Sequence, residues 1–336
     1  MSQLIAMPAT ASELYNMHAS TQTSMRILLA NPRGFCAGVN MAIDCVNQVL
    51  ELKGAPIYVF HEIVHNKHVV QDFEQRGVTF VNSIEEVPEG GVVVYSAHGI
   101  SPEVRRQSQD RQLVEVDATC PLVTKVHLEV LRFAKEGYTI IFIGHKNHDE
   151  AIGTVGEAPD AMIVVESPEE VERLEIPPDR KLAYVTQTTL SIYDANRIIE
   201  ALKGKFPNII SPPKEDICYA TTNRQNAVSV LSPEVDLVLV VGSKNSSNSR
   251  RLVETAESHG IQGHLIDDAA EVDPNWLEGK KSVLVTAGAS APDHLVNGLI
   301  DRLKREYGAS VETRTLVEED VSFSLPKSLR SLAVVG

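Results

Sequence analysis

Residues 25–50 read MRILLANPRGFCAGVNMAIDCVNQVL, and the order of side-chain types in them decides the fold. Met25 to Ala30 is a short apolar run, NPRG has turn chemistry, and Val39, Ala42, Ile43, Val46 and Leu50 then recur at helical spacing. The stretch predicts strand, tight turn, helix, with Cys36 in the turn. The same order returns at 114–130, VEVDATCPLVTKVHLEV, where Pro121 follows Cys120 in the favoured first helical position and Val123, Val126 and Val130 keep the helical period. It returns once more at 216–231, DICYATTNRQNAVSVL, with Cys218. Cys36, Cys120 and Cys218 are 84 and 98 residues apart, so each opens a module of domain size.

Inside each module one apolar run ends in a polar cluster: APIYVFHEIVHN at 55–66, YTIIFIGHKNHDE at 138–150 and VDLVLVVGSKNSSNS at 235–249. A second run ends in small polar residues: GVVVYSAHGIS at 91–101, KLAYVTQTTLS at 181–191 and KSVLVTAGASAP at 281–292. Strands alternating with helical stretches imply right-handed βαβ units, parallel sheets, and ligands at the carboxyl ends of the strands. The expected fold class is therefore α/β, with three similar modules of mostly parallel sheet in a pseudo-threefold arrangement and the cysteines meeting at its centre. The expected division is an N-terminal extension at 1–24, modules at 25–119, 120–217 and 218–310, and a C-terminal segment at 311–336.

The chain of 336 residues, 43% hydrophobic and 23% charged with 20 Gly and 17 Pro, has the composition of a soluble globular protein of two or three domains. It contains no run of 18 apolar residues and no signal-peptide pattern at its start, which reads as cytoplasmic with no membrane partner. Residues 1–24 are rich in Ser, Thr and Ala with Glu13 as the only charge, and are expected to be a flexible extension. A net charge of −14 argues against a nucleic-acid partner, and an anionic substrate would have to be attracted by local groups rather than by the overall field.

Four cysteines in a chain with no secretion signal point to metal or catalysis before disulfides. Thiolates at helix N-termini are favoured by the unpaired N–H groups there, and Cys36, Cys120 and Cys218 all fit that position. Cys45 does not: nine residues beyond Cys36 on one helix is about two and a half turns, which puts it on the opposite face as a structural residue. Three thiolates suit zinc with a water, or an iron–sulfur cluster with one iron lacking a protein ligand. Widely separated single cysteines without CxxC pairs favour the larger cluster.

His65, His98 and His148 each follow an apolar strand, and in the third module Ser246, Ser247 and Asn248 take the place of imidazoles, joined by Ser290. Such donors, beside Gly and Ser that permit close backbone approach, are what a diphosphate with several acceptor oxygens requires. Taken alone, SKNSSNS reads equally as a solvated loop. Glu150 is the carboxylate in these clusters placed to relay a proton, and Thr188 is placed to share a substrate hydroxyl with it.

Together, NPRGFCAGV, HEIVHN, SAHG, DATCPLVTKVH, GHKNHDEAIGT, TQTTLS, DICYATTNRQ, VVGSKNSSNS and VTAGASAP closely resemble the 4-hydroxy-3-methylbut-2-enyl diphosphate reductase family, IspH or LytB. The resemblance runs from about Met25 into the C-terminal region. It implies a trefoil around a four-iron, four-sulfur cluster bound by Cys36, Cys120 and Cys218. The diphosphate would be held by His65, His98, His148, Ser246, Ser247, Asn248 and Ser290, and Glu150, assisted by Thr188, would donate a proton. The implied reaction is a two-electron removal of an allylic hydroxyl, giving isopentenyl or dimethylallyl diphosphate in the last step of the non-mevalonate pathway. A ferredoxin- or flavodoxin-type electron donor is implied as well. Lys146, Asn147 and Asp149 depart slightly from the family pattern, but His148 and Glu150 are retained.

Overall fold

Twelve strands in three separate sheets organise the computed structural model, which describes residues 24–334. They are β1 (Arg26–Asn31), β2 (Ile57–Phe60), β3 (Val78–Val81), β4 (Val92–Tyr95), β5 (Val114–Asp117), β6 (Thr139–Ile143), β7 (Met162–Val165), β8 (Leu182–Thr186), β9 (Leu237–Val241), β10 (Gly263–Ile266), β11 (Ser282–Ala287) and β12 (Ser310–Thr315). The sheets run β3-β2-β4-β5, β7-β6-β8 and β10-β9-β11-β1-β12, and every pairing is parallel. The fold is the expected α/β trefoil. The extension at 1–24 lies, apart from Ser24, outside the described residues, within which no helix is long and apolar enough to cross a membrane.

Each sheet repeats one device: the first strand after the cysteine-bearing turn takes the middle position between the next two, as β3-β2-β4, β7-β6-β8 and β10-β9-β11. These middle strands are continuous apolar runs because both their faces are covered. In β9, Leu237, Leu239 and Val241 pack into one core while Val238 and Val240 pack into another on the opposite face.

The cysteines mark the crossings between sheets. The Ala37–Lys53 helix after Cys36 buries Val39, Ala42, Val46 and Val49 against β2 and β4, although β1 before it pairs with β11 and β12. The Pro121–Lys135 helix after Cys120 packs on β6 and β8, whereas β5 before it pairs with β4. The Tyr219–Leu231 helix after Cys218 packs on β1, β9 and β11, and Ile210 before it bridges to Ala183 of β8. Each strand–Cys–helix unit thus leaves one sheet and enters the next, closing a ring of three.

This arrangement corrects the expected division of the chain. Residues 26–31 were assigned to the module at 25–119, yet β1 lies in the third sheet. The segment at 311–336 is also not separate, since β12 extends that sheet and the Lys327–Val334 helix returns to the first module, where Leu329 and Leu332 join the core under the Ala37–Lys53 helix. In the five-stranded sheet β1 comes from the far end of the chain, and no local pattern records that.

One buried ion pair locks the ring. Arg224, with no exposed surface, donates to Gly34 O at 2.8 and 3.2 Å, to Ala220 O at 3.0 Å and to both carboxylate oxygens of Glu319 at 3.0 and 3.2 Å. Gly34 serves as the acceptor because its φ of +64° turns the chain just before Cys36. Glu319→Gln leaves a buried guanidinium without its counter-charge and should cost about 3–5 kcal/mol. Equilibrium denaturation measures this, and an unshifted midpoint would mean that the carbonyl acceptors alone satisfy Arg224.

Candidate active site

The carboxyl ends of six strands, two from each sheet, point into one central cavity of about 670 Å³ of atom-free space, part of it open to solvent. Its walls include Cys36, Cys120 and Cys218, His65, His98 and His148, Glu150 and Thr188, and Ser246, Ser247, Asn248 and Ser290. The structure therefore brings every residue singled out from the sequence to one place. Cys45 is fully buried in the first module's core, away from the cavity, with its thiol pushed up to about 12 by burial and then by Asp44.

Each cysteine occupies the N-cap position of its helix and is strapped to the preceding sheet by the same hydrogen bond. Cys36 N donates to Ala289 O at 3.3 Å, Cys120 N to Ala97 O at 3.0 Å and Cys218 N to Thr188 O at 3.1 Å. Those acceptors stand at equivalent points just past β11, β4 and β8. Gly38 makes the remaining room, since a Cβ there would come 2.5 Å from Cys120 Sγ and 4.0 Å from Cys36 Sγ. Glycine at that position carries a signal in the sequence, FCAG, that residue-type reasoning passed over.

Burial, with repulsion from the other sulfurs, pushes the Cys120 thiol up to about 12 and the Cys218 thiol up to about 11. Thiolates here need a strongly positive partner. A single ion at about 2.3 Å from each sulfur would hold the sulfurs roughly 3.8 Å apart. The three sulfurs do not all lie within 4.8 Å of one another.

The imidazoles form a compact bank. His65 and His98 stack at 4.0 Å and 18°, and His148 meets both edge-on at 5.4 and 5.8 Å. His65, His98 and Asp149 also bring ligand atoms within 4.8 Å of one another. Burial and the neighbouring imidazoles hold His98 well below the usual histidine range, and burial followed by the charge of His65 lowers His148 to about 4. In the free protein both are neutral at pH 7.

Residues unassigned in the sequence reading orient this bank. Glu62 Oε2 lies 3.2 Å from His65 Nδ1 and accepts from Asn245 at 2.8 Å, while Asp149 lies 2.7 Å from His61 Nδ1 and 3.8 Å from His65 Nε2. Asp149 is one of the three positions, with Lys146 and Asn147, where the sequence departs from the family pattern, and it supplies a carboxylate to two histidines.

SKNSSNS is not a solvated loop. Ser246, Ser247 and Asn248 are buried, and Ser246 caps the Ser247–Ser258 helix by accepting from Ser249 N at 3.3 Å. Asn248 Oδ1 accepts from Ala289 N at 2.8 Å, and Ser290 Oγ donates to His65 O at 2.9 Å, stitching the third sheet to the first. His148 likewise caps the Asp149–Gly156 helix through Nδ1, 3.1 Å from Glu150 N. Two further helix N-termini therefore open at the cavity, beside the three capped by the cysteines, and supply positive potential where no Lys or Arg lines it.

Glu150 is fully enclosed: Thr188 N donates to one carboxylate oxygen at 2.6 Å and Thr188 Oγ1 to the other at 2.9 Å. Burial outweighs these bonds and raises its carboxyl to about 7. Asp216, which adds to that rise, is itself buried and accepts from Lys125 Nζ and Thr186 N, both at 2.9 Å. Its place two residues before Cys218 is the only sequence signal it carried.

The chain matches the family model described as LytB protein over residues 27–304. It is 55% identical over 311 residues to the 4-hydroxy-3-methylbut-2-enyl diphosphate reductase of Rhodopirellula baltica, covering 93% of this chain and 98% of the relative. To the protein of the same name from Bordetella pertussis it is 53% identical over 309 residues, covering 92% and 95%. Among solved structures, the E-1-hydroxy-2-methyl-but-2-enyl-4-diphosphate reductase from Plasmodium falciparum is similar with a TM-score of 0.91 at 40% identity, covering 93% of this chain and 99% of that one.

Proposed function

Because the chain belongs to the LytB family of 4-hydroxy-3-methylbut-2-enyl diphosphate reductases, we propose residue roles for the reaction of that family in this cavity. The reaction is the terminal step of the non-mevalonate pathway, converting the allylic alcohol diphosphate to isopentenyl and dimethylallyl diphosphate. One C–O bond breaks; two electrons and two protons enter, and water leaves. The observation that carries the assignment is the convergence of three helix-capping cysteines, a histidine bank and one buried carboxyl on a single cavity.

Cys36, Cys120 and Cys218 fit a four-iron, four-sulfur cluster: three soft donors on one cavity, with space beside them kept open by Gly38. When bound, that cluster would supply single electrons and Lewis acidity at an iron with no protein ligand. A ferredoxin- or flavodoxin-type protein is the proposed electron source, and the cytoplasm the proposed location. Anaerobic purification with iron and sulfide analysis, followed by turnover with a chemical reductant, tests the reading. A zinc-loaded or iron-loaded but inactive protein would overturn it.

His65, His98 and His148, with Ser246, Ser247, Asn248, Ser290 and the two helix N-termini, hold the diphosphate. Val39, Val64, Leu122 and Val123 give the five-carbon chain an apolar wall and displace water from it. Glu150 holds the proton for the departing oxygen, and Thr188 fixes the carboxyl at the cavity wall.

His65→Ala and His98→Ala should each weaken substrate binding by about 1.5–3 kcal/mol while iron content stays parental. Anaerobic substrate titration measures this; unchanged affinity in both variants would leave them as structural residues only.

Neutral His98 and His148 make binding depend on pH. The diphosphate charge raises their pKa values, so their contribution is complete below the free-protein value, about 4 for His148, and is lost as pH rises through the value in the complex. Calorimetry at pH 7 in two buffers of different ionisation enthalpy should therefore show proton uptake on binding. Zero uptake would mean that the imidazoles bind as neutral donors.

A further inference from the structure

Three cysteines meet on a cavity that no Lys or Arg lines, so an electron added beside their thiolates concentrates negative charge. Hydrogen bonds to the sulfurs offset that cost and are one of the levers that set the potential of an iron–sulfur centre. Among the described residues, Cys218 is the one of the three whose sulfur meets a side-chain hydroxyl: Thr221 Oγ1 lies 3.2 Å from Cys218 Sγ, and Thr221 N donates to the same sulfur at 3.4 Å. Cys36 and Cys120 hold the same N-cap position without a side-chain cap bond. Thr221 is buried in the first turn of the Tyr219–Leu231 helix and lines the cavity.

The other neighbour of that hydroxyl fixes its direction. Asn248 Oδ1 accepts from Ala289 N at 2.8 Å, which turns Nδ2 toward Thr221 Oγ1, 3.4 Å away. An amide N–H can only donate, so Thr221 accepts there and keeps its single hydrogen for Cys218 Sγ. A thiolate bound to iron has no hydrogen of its own and accepts it. Asn248, Thr221 and Cys218 thus form a chain of defined polarity, buried along its length, that begins at a residue of the proposed diphosphate site.

We propose that Thr221 is a positioning residue that raises the reduction potential of a cluster held by Cys218. Its hydroxyl draws electron density from the sulfur and so favours the reduced, more negative state over the oxidised one. Asn248, by holding the hydroxyl on the sulfur, ties that adjustment to a side chain assigned to substrate. The inference rests on the ligand role of the cysteines proposed above.

Thr221→Val keeps the size and branching of the side chain and removes its hydrogen, whereas Thr221→Ser keeps the hydroxyl. Anaerobic potentiometric titration of the substrate-free holoprotein, followed by visible absorption, reads the difference. The one-electron reduction constant of Thr221→Val should fall roughly three- to tenfold at parental iron content, a shift of up to about 59 mV to lower potential, with Thr221→Ser near the parent. If Thr221→Val fails to take up iron, Thr221→Ala gives the same comparison with Thr221→Ser. A parental potential in the iron-loaded variant lacking the hydroxyl would overturn the role. So would an equal fall in Thr221→Ser, which would trace the effect to packing of the methyl group. A parent protein that holds no redox-active iron would instead remove the ligand assignment on which this role depends.

Discussion

Glu150→Gln should lose roughly 10²–10⁴-fold in turnover while keeping its iron and its affinity for substrate. Breaking a C–O bond at neutral pH is slow unless the departing oxygen receives a proton, and a carboxyl near pH 7 holds one while remaining able to part with it. Gln preserves the acceptor for Thr188 N, and the Thr188 hydroxyl can reverse to accept from the amide, so the geometry survives and only the transferable proton is lost. Anaerobic steady-state assays beside a binding measurement separate chemistry from affinity. Turnover near the parental rate would leave Thr188, water or the diphosphate to carry the proton.

The same variant has a second readout, because the raised pKa of Glu150 is also a stability statement. A carboxyl at about 7 in the folded protein, against 4.5 for a free glutamate, contributes stability that is present at low pH and lost as pH rises through 7. Above pH 7 the parent carries a buried carboxylate and the Gln variant does not. Glu150→Gln should therefore unfold at higher temperature than the parent at pH 8, with the difference shrinking toward pH 5. Lower stability at pH 8 would mean that the Thr188 bonds outweigh the cost of burial.

Serine at Cys36, Cys120 or Cys218 should remove most of the bound iron, whereas Cys45→Ser should keep it. A serine hydroxyl matches the thiol in shape but is a hard, weakly acidic donor that does not replace a thiolate on iron. Cys45 sits in the core with no route to the cavity, so its replacement buries an extra hydroxyl and costs about 1–3 kcal/mol of stability instead. Iron per chain, visible absorption and thermal unfolding distinguish the two outcomes. Equal iron loss in all four variants would sink the assignment of ligands.

What the sequence determined by itself is the repeating unit and its chemistry. Strand, cysteine and helix are local, legible from the apolar run before Cys36, the Pro after Cys120 and the periodic valines after both. Parallel strands end where their ligands bind, so the histidines, Ser246 to Asn248, Glu150 and Thr188 could be assigned to one site before any contact was known. Tertiary structure decided how the units share their sheets. β1 pairs with strands more than 250 residues away, and parallel pairing at that separation leaves no mark in the neighbouring sequence. Tertiary structure also decided protonation. His98, His148 and Glu150 are displaced from ordinary values by burial that three sheets create jointly, and desolvation is a property of the enclosure, not of the residue. For the same reason the carboxylates that complete the site and its frame, Glu62, Asp149 and Glu319, look like common surface residues in the sequence and acquire their partners only when distant segments close around them.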